Sequence, residues 1–235
     1  MNQRLFIVLF ILLGLCIQNA FAQVWENTAN TNPNLSEPNI KTFSESDFQT
    51  LPTSVWLHEY TNVVVINIAN EGSDKQTLRL YVNGQLTLLT KISSGREKFE
   101  AGCKPGQEPK KDHCSAHPYW STTPVGYFDT DSLNEKYFSN LWQTWMPWAV
   151  FFESGIATHQ APAGTENRLG ERASGGCVRM HPDKAPIVFK AVQSAGQGLV
   201  PSFNRDGSIS KTKSGDVIRK ISYKTLYIVQ NVVKP

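Results

Sequence analysis

From residue 61 onward, short β-branched or alternating apolar runs are broken by turn signals, and only one stretch reads as a helix of useful length. That pattern confines the chain to a mostly β fold. Residues 63–68 are a β-branched run, and residues 77–82 alternate apolar with polar positions. Asn83-Gly84 is a two-residue hairpin signal, because both residue types tolerate positive φ, and residues 86–92 read as the returning strand. Thr123-Pro124 opens another extended piece through Val125, Tyr127 and Phe128, residues 149–152 and 156–159 read as further strands, and residues 225–233 as a closing one. The helix is expected over residues 182–195, with Pro182 at its first position, Gly196 past its end, and Ile187, Val188, Ala191 and Val192 on one side. A single helix is too few for a sheet of βαβ units.

Hydrophobic residues make up 40% of the 235, enough for a core. Charged residues are 18%, the net charge is +3, and no run of Lys or Arg forms a stripe, which excludes a nucleic-acid partner. Four cysteines are too few for a disulfide-built scaffold. Residues 1–22 read as a signal peptide: Arg4 is the positive start, residues 5–17 are apolar but for Gly14, and Ala20-Phe21-Ala22 is a small-x-small cleavage site. Thirteen helical residues reach only ~20 Å against a hydrocarbon core of about 30 Å, which disfavours the alternative of an uncleaved anchor. Cys16 follows the bulky Leu15, unlike a lipoprotein cleavage site, and is expected to leave with the signal. The mature protein is then exported, with no stable membrane span, into an oxidising periplasm or cell envelope. Residues 23–60, rich in Asn, Thr, Ser and Pro, are expected as a linker or loose N-terminal arm with a helical turn near 54–60, and residues 61–235 as the folded domain.

The mature chain keeps three cysteines: Cys103, Cys114 and Cys177. An odd count leaves one over, and a leftover cysteine in an exported protein is a candidate reactive thiol. Cys103 and Cys114 share a Lys-, Pro- and Gly-rich loop and suit a local disulfide. His113, Cys114 and His117 with Cys103 could instead hold zinc, but oxidation removes thiolate ligands and ranks the disulfide first, with no metal expected. Cys177 lies in Ser174-Gly175-Gly176-Cys177-Val178-Arg179-Met180. Its glycines allow close backbone approach, Arg179 puts a fixed cation beside the thiol, and His159 upstream can accept the thiol proton. His181 reads as a helix-start residue, with a substrate contact as the alternative. Trp142, Trp145 and Trp148 are either core or the floor of a groove, and Glu153 and Glu166 read as solvated charges rather than a glycosidase pair.

These residues resemble the L,D-transpeptidase family (YkuD domain). The likeness is carried by Thr123-Pro124-Val125-Gly126-Tyr127-Phe128, by Met146 onward to His159, by Gly164 and Leu169-Gly170, and by the Ser174-x-Gly176-Cys177-Val178-Arg179-Met180 core. The resemblance covers about residues 61–195. It implies a β-sandwich-like catalytic domain with one substantial helix after the cysteine, no cofactor, and action on peptidoglycan stem peptides. It implies Cys177 as nucleophile and His159 as general base, with the Gly175 carbonyl holding the His159 ring. Backbone N–H groups at Gly176 and Cys177 would receive the oxyanion, and Ser174 and Arg179 would shape the loop. The acyl group would pass to an amine, as a 3→3 cross-link or as attachment of a wall-anchored protein. The sequence departs from the family pattern at Gly175, where many members have His, and at Gln160, where most have Gly. The loop at 95–120 and the segment at 196–235 look longer than the family minimum, and no separate peptidoglycan-binding module is evident. An L,D-carboxypeptidase or amidase using the same thioester and an idle wall-binding protein are the competing classes. A sortase-like enzyme is disfavoured because its arginine normally comes from a separate strand.

Alkylation of the unreduced mature protein with iodoacetamide, read by mass spectrometry, is expected to label one thiol, Cys177. Three labelled thiols with bound zinc would reverse the ranking of disulfide over metal.

Overall fold

The computed structural model describes residues 39–49 and 56–235. The expected signal peptide at 1–22 lies outside them, as do residues 23–38 and 50–55 of the expected arm, with the start of the helical turn expected near 54–60.

Strands β1 (Asn62–Asn67), β2 (Thr77–Val82) and β3 (Gln85–Ser93) form an antiparallel meander. Asn83 and Gly84 join β2 to β3 with φ of 48° and 77°, the pair of positive values that a type I′ turn needs. On the other side of β1 lies the last strand, β13 (Thr225–Gln230), in parallel, and beyond it β6 (Gly126–Asp129). A short strand, β10 (Val178–Met180), pairs with β3 and links this half to β9 (Ile156–Gln160), β8 (Thr144–Glu153) and β7 (Ser132–Ser139). The nine strands make one curled sheet in the order β6-β13-β1-β2-β3-β10-β9-β8-β7. Two small ribbons stand outside it: β4 (Phe99–Glu100) with β5 (Tyr119–Trp120), and β11 (Gln197–Pro201) with β12 (Arg219–Tyr223). A single helical turn, α1 (Pro109–Asp112), lies between β4 and β5. The architecture is mostly β, and the substantial helix, α2 (Ala185–Ala195), follows Cys177.

The main core lies between the two halves of the sheet and α2. Val64, Leu78, Val150, Val178 and Met180 are buried in it with Val188 and Val192 of the helix. Residues 182–184 are a turn rather than the first helical residues: the Lys184 and Ala185 N–H groups donate to the His181 carbonyl at 2.9 and 3.1 Å. Pro186, not Pro182, occupies the first helical turn. The buried stripe is Ala185, Val188, Phe189 and Val192, so Ile187, expected inside, is 43% exposed. Ile187 is one position before Val188, about 100° round the helix, which puts it off the Val188–Val192 stripe.

β1 and β13 are buried along their whole length, so their second face needs cover as well. Residues 39–49 supply part of it, which the reading of a loose arm missed. Phe43 is buried with Val63, Val65 and Tyr81, its ring centroid 5.5 Å from that of Tyr81. Its amide donates to Gln230 Oε1 at 3.1 Å. Leu57 and Tyr60 join the same cluster, and the Tyr60 hydroxyl donates to the Pro201 carbonyl at 2.6 Å. Among the described residues no helix is long and apolar enough to cross a membrane.

Phe43→Ala is expected to cost about 3–5 kcal/mol in urea denaturation, the usual range for emptying a buried aromatic site. A change within experimental error would separate residues 39–49 from the domain.

Candidate active site

Side chains alternate between the faces of a strand, and that rule assembles the site. In β9, Ile156 and Thr158 face the main core, where the Thr158 hydroxyl meets the Tyr227 hydroxyl at 3.0 Å. Ala157 belongs to a smaller cluster with Met146, Ala149 and Phe151, against which Cys177 packs. In β10, Val178 and Met180 are in the main core. β9 and β10 run parallel, with Val178 opposite Thr158 and Arg179 opposite His159. Cys177, two residues before Arg179, therefore shares the face of Arg179 and His159. All three line one cleft, with Gly155, Gly175, Tyr119 and Trp142.

His159 is 3% exposed. Its Nδ1 lies 2.7 Å from the Gln160 carbonyl oxygen. A carbonyl only accepts, so Nδ1 carries the proton and Nε2 keeps the lone pair. Burial, and secondarily the Arg179 guanidinium, push the His159 pKa down to about 3, so the ring is neutral. Arg179 is itself held below the usual arginine value, first by burial and then by Arg96. Both guanidiniums donate to the Ala173 carbonyl, Arg96 at 3.0 Å and Arg179 at 3.4 Å. Arg96 is tied to Glu100 at 2.7 Å. The Cys177 Sγ sits 3.7 Å from the Gly155 carbonyl oxygen. The arrangement offers a thiol, a neutral imidazole with an acceptor nitrogen, and a buried cation on one surface.

Two details of the expected site are corrected. The Gly175 carbonyl does not hold the His159 ring: it accepts from the Tyr119 hydroxyl at 2.8 Å, and the neighbouring Gln160 carbonyl takes the ring instead. The Gly176 N–H is not directed at a substrate oxygen: it donates to Ser174 Oγ at 3.1 Å. Ser174 in turn donates to the Cys177 carbonyl. Thr123 Oγ1 donates to the Gly176 carbonyl at 2.6 Å. Three successive carbonyls, at 175, 176 and 177, are thus each held by a different hydroxyl. Gly176 has φ of 120°, and a Cβ there would meet the Thr122 carbonyl oxygen at 3.0 Å, so glycine is required.

Cys103 and Cys114 are joined in a disulfide, which leaves neither thiolate to a metal. The three tryptophans separate. Trp142 lines the cleft, Trp145 is 58% exposed beside Phe138, and Trp148 packs edge-on against Phe189 of α2 at 5.4 Å. His181 supplies the carbonyl that starts the turn before α2. Glu166 lies in a 3-10 turn at Glu166–Arg168. Glu153 ends β8 and helps to raise the pKa of Asp131 to about 6, although burial is the larger cause. Tyr119 meets Trp142 edge-on and Arg96 lies over the Trp142 ring, against the Gly175 turn; of the three, the sequence had signalled only Trp142, as core or the floor of a groove. Thr123 did carry a signal, as the start of Thr-Pro-Val-Gly.

Stability should register the buried neutral ring. An unfolded imidazole protonates near 6.5, so protonation favours unfolding, and the contribution is whole above 6.5 and lost as pH falls towards 3. Asp131 acts in the opposite sense between about 4 and 6, so the informative comparison is between variants. His159→Gln is expected to flatten the wild type's loss of denaturation free energy between pH 6.5 and 3.5. An unchanged slope would contradict the buried neutral ring.

The YkuD model, which describes the L,D-transpeptidase catalytic domain, matches residues 61–213. Among solved structures, an L,D-transpeptidase from Mycobacterium smegmatis is 17% identical with a TM-score of 0.43, over 73% of this chain and 59% of that one. One from Xylanimonas cellulosilytica DSM 15894 is 20% identical with a TM-score of 0.43, over 72% and 60%. L,D-transpeptidase 3 from Mycobacterium tuberculosis is 16% identical with a TM-score of 0.44, over 73% and 62%. The likeness therefore spans about three fifths of those proteins. No curated protein matches by sequence. With 61–213 covering most of its length, the chain belongs to the L,D-transpeptidase catalytic-domain family.

Proposed function

We propose that this protein is an exported peptidoglycan L,D-transpeptidase with Cys177 as nucleophile and His159 as general base. The observation that carries the reading is the pairing of β9 with β10, which sets Arg179 beside His159, with Cys177 lining the same cleft. The tautomer of His159 suits the role, since Nε2 can accept the thiol proton. The Arg179 charge favours the thiolate over the thiol. The thiolate attacks the carbonyl between the diamino acid and the terminal D-residue of a tetrapeptide stem. The backbone N–H of Cys177 is the proposed donor for the oxyanion. His159 then returns the proton to the leaving amine, and the first three residues of the stem remain as a thioester.

A side-chain amine of a second stem resolves the thioester to a 3→3 bond, with His159 taking the amine proton. That amine competes with water at about 55 M, so an acceptor has to be held in place and water kept from the thioester. Burial of His159 and the packing of Cys177 against Met146 and Phe151 support the second condition. The same reading implies a stable carbapenem adduct on Cys177.

The test is mass analysis of the products from disaccharide-tetrapeptide incubated with the mature protein. Cross-linked dimers are expected, with none from Cys177→Ala, about 10²–10⁴-fold less from His159→Ala, and a smaller loss from Arg179→Ala. Tripeptide alone, with acceptor abundant, would reassign the protein as an L,D-carboxypeptidase, and no turnover at all would leave a wall-binding protein.

A further inference from the structure

We propose that Tyr119 is a positioning residue for Cys177, acting through the Gly175 carbonyl. The proposal rests on the reading of Cys177 as a nucleophile. Trp142 Nε1 lies 3.0 Å from the Tyr119 oxygen, and that oxygen lies 2.8 Å from the Gly175 carbonyl. An indole N–H only donates and a carbonyl only accepts, so the chain runs one way: Trp142 to Tyr119 to Gly175. The donation into the Tyr119 oxygen polarises its O–H and strengthens the bond to Gly175. Tyr119 is 7% exposed, and burial raises its pKa, so the phenol stays a donor across the working pH range.

The contact is close enough to exclude any side chain at 175. A Cβ built there would lie 2.5 Å from the Tyr119 oxygen and 2.6 Å from Trp142 Nε1. Trp142 is supported in turn by the Arg96 guanidinium, 5.3 Å from its ring centroid. The Gly176 and Cys177 carbonyls are already fixed by Thr123 and Ser174. The Gly175 carbonyl is thus the third hold on a turn with two successive glycines, whose backbone would otherwise rotate with little steric resistance. Without it, Sγ is no longer fixed relative to the imidazole, and misplacement of about 1 Å costs on the order of 10²-fold.

The decisive measurement is the pH dependence of Cys177 alkylation by iodoacetamide, alongside thermal melting, for wild type, Tyr119→Phe and Trp142→Phe. Tyr119→Phe is expected to alkylate about tenfold more slowly at pH 7, with the midpoint of its rate–pH curve raised by about one unit and its melting temperature within a few degrees of wild type. Trp142→Phe should move the same curve in the same direction by less, and it serves the purpose if Tyr119→Phe does not fold. Superimposable profiles, or a rate loss accompanied only by a lower melting temperature, would overturn the proposal. Alkylation needs no wall substrate, so a wild-type protein that turns over no muropeptide defeats the proposed function while leaving this test to be read.

Discussion

The parallel pairing of β9 with β10 is the constraint on which the rest of the site depends. It sets Val178 against Thr158 and Arg179 against His159. Because side chains alternate, one register answers two needs: Val178, Met180, Ile156 and Thr158 face the main core, and Cys177, Arg179 and His159 face the cleft. A slip of one residue would turn the guanidinium into the apolar core and the valine and methionine into the cleft. The apolar contacts that specify the register are thus the same ones that aim the chemistry. The connection between the two strands contains no helix longer than the turn at Glu166–Arg168. The register is held instead by the core on one side and by β3 on the other.

The turn before Cys177 is fixed differently. No strand ladder reaches Gly175 or Gly176, and both lack side chains to pack. Their carbonyls, and that of Cys177, are held by three hydroxyls drawn from separate segments: Tyr119 after the disulfide loop, Thr123 before β6, and Ser174 within the turn. A glycine turn supported this way combines the close approach that a substrate carbonyl would need with the fixed geometry that the proposed nucleophile would need. It also accounts for the departure at position 175. The space that a larger residue would take there is occupied by Tyr119 and Trp142, which come from outside the motif.

The fold was legible where the pattern was local and apolar. Residues 77–82 and the Asn83-Gly84 turn were readable because alternation and positive-φ residues are direct signals. β7 was not, because Ser132–Ser139 carries Asn134, Glu135 and Lys136 on an edge strand with mostly exposed or half-buried positions. The sequence period there has no apolar face to reveal it. β11 and β12 escaped for the same reason, since their outward pair, Leu199 and Ile221, is exposed on a ribbon apart from the main sheet. The arm failed in the opposite sense. Its composition reads as a linker, but Phe43 is drawn in by a sheet face that needs covering, which is visible only once β1 and β13 are seen buried on both sides. Cys177, His159 and Arg179 stood out in the sequence by their chemistry, and the fold brings all three to one cleft. Tyr119 was invisible because its role depends on where a loop returns, not on its neighbours in sequence.

That loop return has its own physical cause. Between Cys103 and Cys114 the chain closes through a disulfide, and the Cys103 N–H donates to the Ser115 carbonyl at 2.8 Å. The next residue, Ala116, donates to the Leu141 carbonyl at 2.8 Å, one residue before Trp142. The closed loop is thereby fastened to the turn between β7 and β8, and Tyr119 and Trp142 leave that junction side by side, their ring centroids 6.1 Å apart. A cross-link removes conformational freedom from the unfolded chain and narrows where its ends can go. Here the narrowed end is the segment that carries Tyr119 to Gly175. The two oxidised cysteines and the remaining thiol are then parts of one arrangement, in which the disulfide restricts the loop that braces the turn on which Cys177 sits.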